Sequence, residues 1–164
     1  MAIRNAAKAL IVDDDGKILL IKYKNSIGEI YYGLPNGAIY YDLPGGGQNQ
    51  YETLEEAVKR ECLEETGYLV NVGRLAAVYE EISENAKYRL EWEDYTHKIY
   101  FVFICRLADT DVKKSAEKDF DMLEAEWVKI EDVANILLYP NIIKLKLDLI
   151  LKSESTLYLG WGKV

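Results

Sequence analysis

Two hydrophobic rhythms run along the chain, one of period two and one near 3.6, and their order predicts a mixed α and β fold. Ala6–Val12 and Lys17–Lys22 read as strands joined by Asp13-Asp14-Asp15-Gly16, a hairpin turn. Tyr23–Tyr41, rich in Tyr, Gly and Asn, reads as a loop, with a short strand at Ala38–Asp42. Leu43-Pro44-Gly45-Gly46-Gly47 interrupts the pattern. A helix is predicted over Leu54–Thr66, with Thr53 as N-cap, Glu56 completing a capping box and Gly67 as the stop. Tyr68–Glu81, Ile99–Leu107 and Glu126–Ile130 are strand-like, and the polar stretch Asp109–Asp121 is a loop. Two short helices close the pattern, Glu131–Leu137 and Asn141–Lys152, with Pro140 between them. No repeat, linker or low-complexity segment appears, so residues 1–164 read as one domain.

The helix carries the first chemical signal. At about 100° per residue, Leu54, Ala57, Val58 and Cys62 share one face and should pack on a sheet. Glu61, Glu64 and Glu65 fall in the same sector, while Leu63 points away. An acidic run on a helix is ordinarily a solvated face, but such a face should lie opposite the apolar stripe. These glutamates continue the stripe instead. Carboxylates crowded beside apolar surroundings repel one another and are costly to desolvate, and a hard divalent cation relieves both problems. Arg60 can brace a carboxylate through a bidentate pair. Gly45-Gly46-Gly47 could bring backbone close to a metal or a phosphate, or could simply turn the chain into the helix. It is no P-loop, because no Gly-Lys-Ser or Gly-Lys-Thr follows.

Together these residues resemble the signature of the Nudix hydrolases. Gly46-x5-Glu52-x7-Arg60-Glu61-Cys62-x-Glu64-Glu65-x-Gly67-Tyr68 matches every Gly, Glu and Arg of that motif, G-x5-E-x7-R-E-U-x-E-E-x-G-U. Cys62 and Tyr68 stand at its bulky aliphatic positions. Asn49 and Tyr51 stand where many members carry a glutamate and a glycine, a difference expected to alter the loop. The resemblance implies an α/β/α sandwich with a mixed sheet. It implies that Glu61, Glu64, Glu65 and the Gly45 carbonyl bind Mg²⁺ or Mn²⁺. It further implies hydrolysis of a nucleoside diphosphate linked to another moiety, such as a nucleoside triphosphate or a nucleotide sugar. Glu61 or Glu64 is the candidate general base, with Arg60 the third catalytic candidate. Glu52, which precedes the N-cap, is expected to support the loop–helix junction.

Candidate substrate contacts are Gly46, Gly47, Tyr31 and Tyr32, with Tyr40 and Tyr41 also flanking the glycines. The family often adds an acid from a later loop, and here Glu117, Asp119 and Asp121 are the choices. His97, Trp92, Trp127 and Trp161 are more simply structural. ADP-ribose hydrolases usually carry a proline downstream of the motif, and this chain has none between Pro44 and Pro140. The alternative to hydrolysis is a non-catalytic nucleotide sensor, which would be expected to lose motif carboxylates. Diphosphate isomerisation would need further acid–base groups.

Composition narrows the partners. The formal net charge of −8, without a Lys/Arg cluster, argues against a nucleic-acid polymer. No apolar run is long enough for a membrane span, and a cytoplasmic location is the default expectation. Cys62 and Cys105 read as buried free thiols rather than a disulfide, and one histidine with two distant cysteines makes no zinc site. The expected partner is a small nucleotide-like diphosphate. A homodimer stays open.

Overall fold

The computed structural model describes residues 3–30, 32–109 and 120–164. Among the described residues nine strands form two mixed sheets, in keeping with the mixed α/β architecture expected from the sequence. The five-stranded sheet has the order β4-β1-β6-β5-β9: Gly45–Gly47, Arg4–Ile11, His97–Leu107, Val70–Ile82 and Leu157–Lys163. The four-stranded sheet has the order β7-β2-β3-β8: Met122–Lys129, Lys17–Lys24, Ile39–Asp42 and Leu138–Tyr139. Helix α1 is Leu54–Thr66, α2 is Ala86–Glu91 and α3 is Asn141–Lys152.

Helices cover both sides of the sheets. Strand β1 alternates as its period of two requires. Ala7, Ala9 and Ile11 pack under Ala57, Val58 and Cys62 of α1. Leu10 turns to the opposite core, which holds Ile143, Leu147 and Ile150 of α3. Strands β1 and β6 run parallel, with Ala6 opposite Tyr100 and Lys8 opposite Val102.

Several expectations need correction. The tyrosine-rich loop is shorter than Tyr23–Tyr41, because β2 continues to Lys24 and pairs Tyr23 with Tyr40. The glycines are not a bare turn: Gly45–Gly47 form an edge strand antiparallel to Ala6–Lys8. The helix read at Glu131–Leu137 is a 3₁₀ turn over Ile130–Asn135, followed by β8. Helix α2 and strand β9 were not anticipated. With six residues α2 is too short to show a period, although its N-cap Asn85 accepts from the Lys87 and Tyr88 amides. Strand β9 is interrupted by Gly160 and Gly162, which hides an alternation of Leu157 and Leu159 toward the core with Tyr158 outward.

Candidate active site

Helix α1 places the acids. The Thr53 hydroxyl accepts from the Glu56 amide at 3.2 Å, the Glu56 carboxylate accepts from the Thr53 amide at 2.8 Å, and Gly67 closes the helix with φ of 75°. Arg60 then spends all five N–H donors on the site. Nε and Nη2 grip the two oxygens of Glu52 at 2.7 and 2.9 Å. Nη1 donates to Glu61 at 2.7 Å and to Glu64 at 3.1 Å, and Nη2 also donates to the Gly47 carbonyl at 3.0 Å. These bonds hold the guanidinium well above the usual arginine range, through Glu52 first, and hold Glu52 below the usual carboxylate range. Glu52 in turn accepts from the Asn49 amide at 2.9 Å, so it fastens the glycine-rich segment to the helix.

The third glutamate faces inward. Glu65 is 4% exposed, and it accepts from the Gly45 amide at 2.7 Å and from the Tyr23 hydroxyl at 3.2 Å. A side chain at Gly46 could not coexist with this arrangement, since a Cβ there would stand 2.7 Å from the Glu61 carboxylate. Beside it, buried Lys8 donates from Nζ to the Gly45 carbonyl at 2.5 Å, the Leu43 carbonyl at 3.1 Å and Asp42 Oδ2 at 2.8 Å. Burial pushes its pKa down, but Asp42 and Glu65 more than offset this and leave it raised.

A cavity of about 270 Å³ opens on the same glycines. Arg4, Lys8 and Lys98 line one wall, and Tyr88, Trp92 and Tyr95 form an aromatic wall. Trp92 stacks on Tyr88 with centroids 6.5 Å apart, and the Arg4 guanidinium lies 4.7 Å from the Tyr95 ring centroid. Sequence reasoning passed over Lys8, Arg4 and Lys98. The legible signal was a lysine in the middle of an otherwise apolar strand, Ala6-Ala7-Lys8-Ala9-Leu10.

Of the residues singled out from sequence, the structure gathers Gly45, Gly46, Gly47, Arg60, Glu61, Glu64 and Glu65. Asp121 lines the cavity, where its Oδ2 accepts from the Ser26 amide and hydroxyl, both at 2.9 Å. Tyr32 lies elsewhere: its ring stacks on Tyr139 with centroids 4.3 Å apart, and its hydroxyl donates to Glu81 at 2.5 Å. Tyr40 stacks on Tyr23 in the cavity wall, while Tyr41 donates to Glu126 at 3.2 Å. Tyr31, Glu117 and Asp119 lie outside the described residues. His97 pairs with Glu80 at 2.6 Å and Trp127 packs edge-on against Tyr68, both structural contacts. Trp92 faces the cavity, and Trp161 is 61% exposed on edge strand β9.

The donor set suits a hard cation. Glu61 and Glu64 already converge on one guanidinium nitrogen, and the neighbouring donors are oxygens. Among the described residues no three acidic, His or Cys side chains are gathered tightly enough to form a ready-made metal cage, because Arg60 holds two glutamates and the Gly45 amide holds the third. A cation bound here would compete with Arg60 for the carboxylate oxygens and with Lys8 for the Gly45 carbonyl. Cys62 and Cys105 are free thiols in the core.

A helix of acids laid against a glycine edge strand, with mixed sheets covered by helices, defines an α/β protein of the Nudix type. Residues 2–148 match the NUDIX domain, and the chain belongs to the Nudix family. It is 31% identical over 126 residues to an ADP-ribose pyrophosphatase of Methanocaldococcus jannaschii, covering 77% of this chain and 62% of that protein. The chain spans less than two thirds of the length of this relative, and 18% of that of a Caenorhabditis elegans relative. Among solved structures, a NUDIX hydrolase from Nitrosomonas europaea superposes with a TM-score of 0.67 at 19% identity, over 100% of this chain and 81% of that one. A MutT NUDIX hydrolase from Burkholderia pseudomallei gives 0.62 at 28% identity, over 89% and 98%. No helix among the described residues is long and apolar enough to cross a membrane.

Proposed function

We propose that this protein hydrolyses the phosphate–phosphate bond of a nucleoside diphosphate linked to another moiety, using Mg²⁺ or Mn²⁺ held by Glu61, Glu64, Glu65 and the Gly45 carbonyl. The observation that carries this reading is the convergence of Glu61 and Glu64 against the Gly46 backbone, beside an aromatic cavity. Bound cations would activate water, neutralise the diphosphate and stabilise the leaving group. Glu61 or Glu64 accepts the proton of the attacking water. Arg60 acts through the carboxylates it positions. The Gly46 and Gly47 backbone, Lys8 and Arg4 face the phosphates, and the wall of Tyr88, Trp92 and Tyr95 takes the base. Asp121 reaches the same cavity, and Tyr31 and Asp119 are further candidates for the substrate's outer contacts, while Tyr32 is held by Tyr139 and Glu81.

A nucleotide sugar is the leading substrate class. The relative named for ADP-ribose supports it, although this chain lacks the downstream proline usual in ADP-ribose hydrolases. The test is a panel of ADP-ribose, UDP-glucose and ATP with Mg²⁺, read by mass spectrometry for nucleoside monophosphate. Glu64→Gln should cut turnover by about two orders of magnitude or more, the scale of losing one charge-stabilising contact to a transition state, with an unchanged circular dichroism spectrum. Wild-type turnover by Glu64→Gln would refute the metal assignment.

A further inference from the structure

Glu81 on β5 is 3% exposed, and its Oε2 is a buried atom without a hydrogen-bond partner. Its other oxygen is well served: Tyr32 donates to Oε1 at 2.5 Å, Tyr100 at 3.2 Å, and Lys98 Nζ lies 3.7 Å away. A buried carboxylate oxygen left unmet is costly, so such an atom marks the place of a missing donor.

The surroundings identify where that donor comes from. Strand register sets Arg4 beside Lys98 across β1 and β6, and Lys98 beside Glu81 across β6 and β5. Lys8, on the Gly45 carbonyl, stands four residues along β1 from Arg4, about 13 Å at the usual strand rise. The Arg4 guanidinium lies against Gly47, so the row of Arg4, Lys98 and Glu81 leads from the glycine strand across to β5. Glu81 opens on a side chamber of about 50 Å³, lined also by Lys98, Tyr88 and Tyr95. Those three residues line the large cavity as well, so the chamber lies behind a shared wall. Its volume admits one or two water-sized groups and no ring.

We propose, resting on the functional reading above, that the side chamber selects the substrate's base, and that Glu81 Oε2 accepts from an exocyclic amine while the ring stays against the aromatic wall. A carboxylate only accepts and an ammonium only donates, so Glu81 and Lys98 form a directional pair. Adenine and cytosine project an amine from the corresponding ring edge, whereas uracil and hypoxanthine project a carbonyl oxygen. In the chamber that oxygen would be repelled by the Glu81 carboxylate and would have to draw on Lys98, whose ammonium already faces Glu81 Oε1 at 3.7 Å. The substrate class is therefore a nucleoside diphosphate whose base presents an exocyclic amine on that edge, as adenine and cytosine do.

Calorimetric titration of the full chain with AMP, CMP, IMP and UMP in Mg²⁺ tests this without turnover. AMP should bind at least about tenfold tighter than IMP, and CMP than UMP, the ratio of one buried hydrogen bond won or lost. Glu81→Gln, whose amide can turn an N–H toward a carbonyl, should erase or invert both ratios. Equal binding of AMP and IMP by the wild type overturns the proposal, as does binding of none of the four, and neither result depends on the variant folding. A folded Glu81→Gln with unchanged ratios overturns it too. Selective AMP binding without hydrolysis of any diphosphate would refute only the hydrolase reading. Hydrolysis with indifference to the base would refute only this one.

Discussion

Lys8→Met is the most informative single substitution, because Lys8 belongs to the core and the site at once. Met keeps the length and apolar stem of the side chain but removes the ammonium. Asp42 then loses its partner at 2.8 Å, and the Leu43 and Gly45 carbonyls lose their donor. Removing one partner of a buried ion pair typically costs about 3–5 kcal/mol. The Asp42 side chain is 19% exposed, so water recovers part of its solvation and the lower end of that range, about 3 kcal/mol, is expected. Urea unfolding should show this as a lower midpoint at constant slope. Asp42→Asn should recover part of the loss in the Lys8→Met background, since a neutral amide no longer needs a cation and can still accept from the Leu43 amide. The coupling between the two changes should lie at about 1–3 kcal/mol. The raised Lys8 pKa fixes the pH window: its contribution is fully present below the ordinary lysine pKa and is lost only as pH rises through the higher folded value. The coupling should therefore be the same at pH 7 and pH 9. A loss under about 1 kcal/mol, or strict additivity with Asp42→Asn, would show that Lys8 is not the keystone of this corner.

Tyr51 is 97% exposed yet sits at φ of 68°, so its ring gains no packing while its backbone takes the left-handed region that glycine prefers. Tyr51→Gly should relieve about 1–2 kcal/mol and lose about 0.4–1 kcal/mol to unfolded-chain entropy, raising the melting temperature by up to about 6 °C; a fall in melting temperature would contradict this. Glu52 lies below the usual carboxylate range because Arg60 holds it, so its stabilisation is full above the ordinary glutamate pKa and fades as pH falls below about 4. Hydrogen exchange at the Asn49 amide, which Glu52 accepts, should accelerate over that window and be pH-insensitive in Glu52→Gln beyond the intrinsic trend. Mg²⁺ or Mn²⁺ at a hundredfold above its dissociation constant should stabilise the fold by about 2.7 kcal/mol; a melting temperature indifferent to millimolar levels of both ions would count against the site.

Signals borne by local chemistry were legible in the sequence. The capping box at Thr53, the stop at Gly67 and the packing face of Ala57, Val58 and Cys62 each depend on a few neighbouring residues, and α1 has the expected bounds. Helix α3 over Asn141–Lys152 was legible for the same reason. Features that depend on distant pairing were not. Gly45–Gly47 carries no propensity for a strand, and becomes one only because Ala6–Lys8 offers small neighbours and an open edge. The aromatic wall also depends on tertiary placement: Tyr88, Trp92 and Tyr95 are scattered along an excursion between β5 and β6, and only sheet register carries them over Arg4 and Lys98. Buried Lys8 broke an apolar pattern and could have been noticed, but its three acceptors come from residues 42–45, which no local reading joins to β1.

The charge balance of the site bears on how it would operate. Asp42, Glu52, Glu61, Glu64 and Glu65 gather five carboxylates about Lys8 and Arg60, so acidic groups outnumber these two cations. A diphosphate brought to such a site meets like charge at close range, where repulsion is strong. Arg4, whose guanidinium lies against Gly47, moderates this, whereas Lys98 is already opposed by Glu81. Divalent cations placed between carboxylates and phosphates reverse the sign of the encounter. Metal and substrate would then each raise the other's affinity, as linkage requires of two ligands that bind through a shared charge. Arg60 pairs with Glu61 and Glu64, and its hold on Glu52 and the Gly47 carbonyl would keep the glycine strand in place if a bound cation took the other carboxylates.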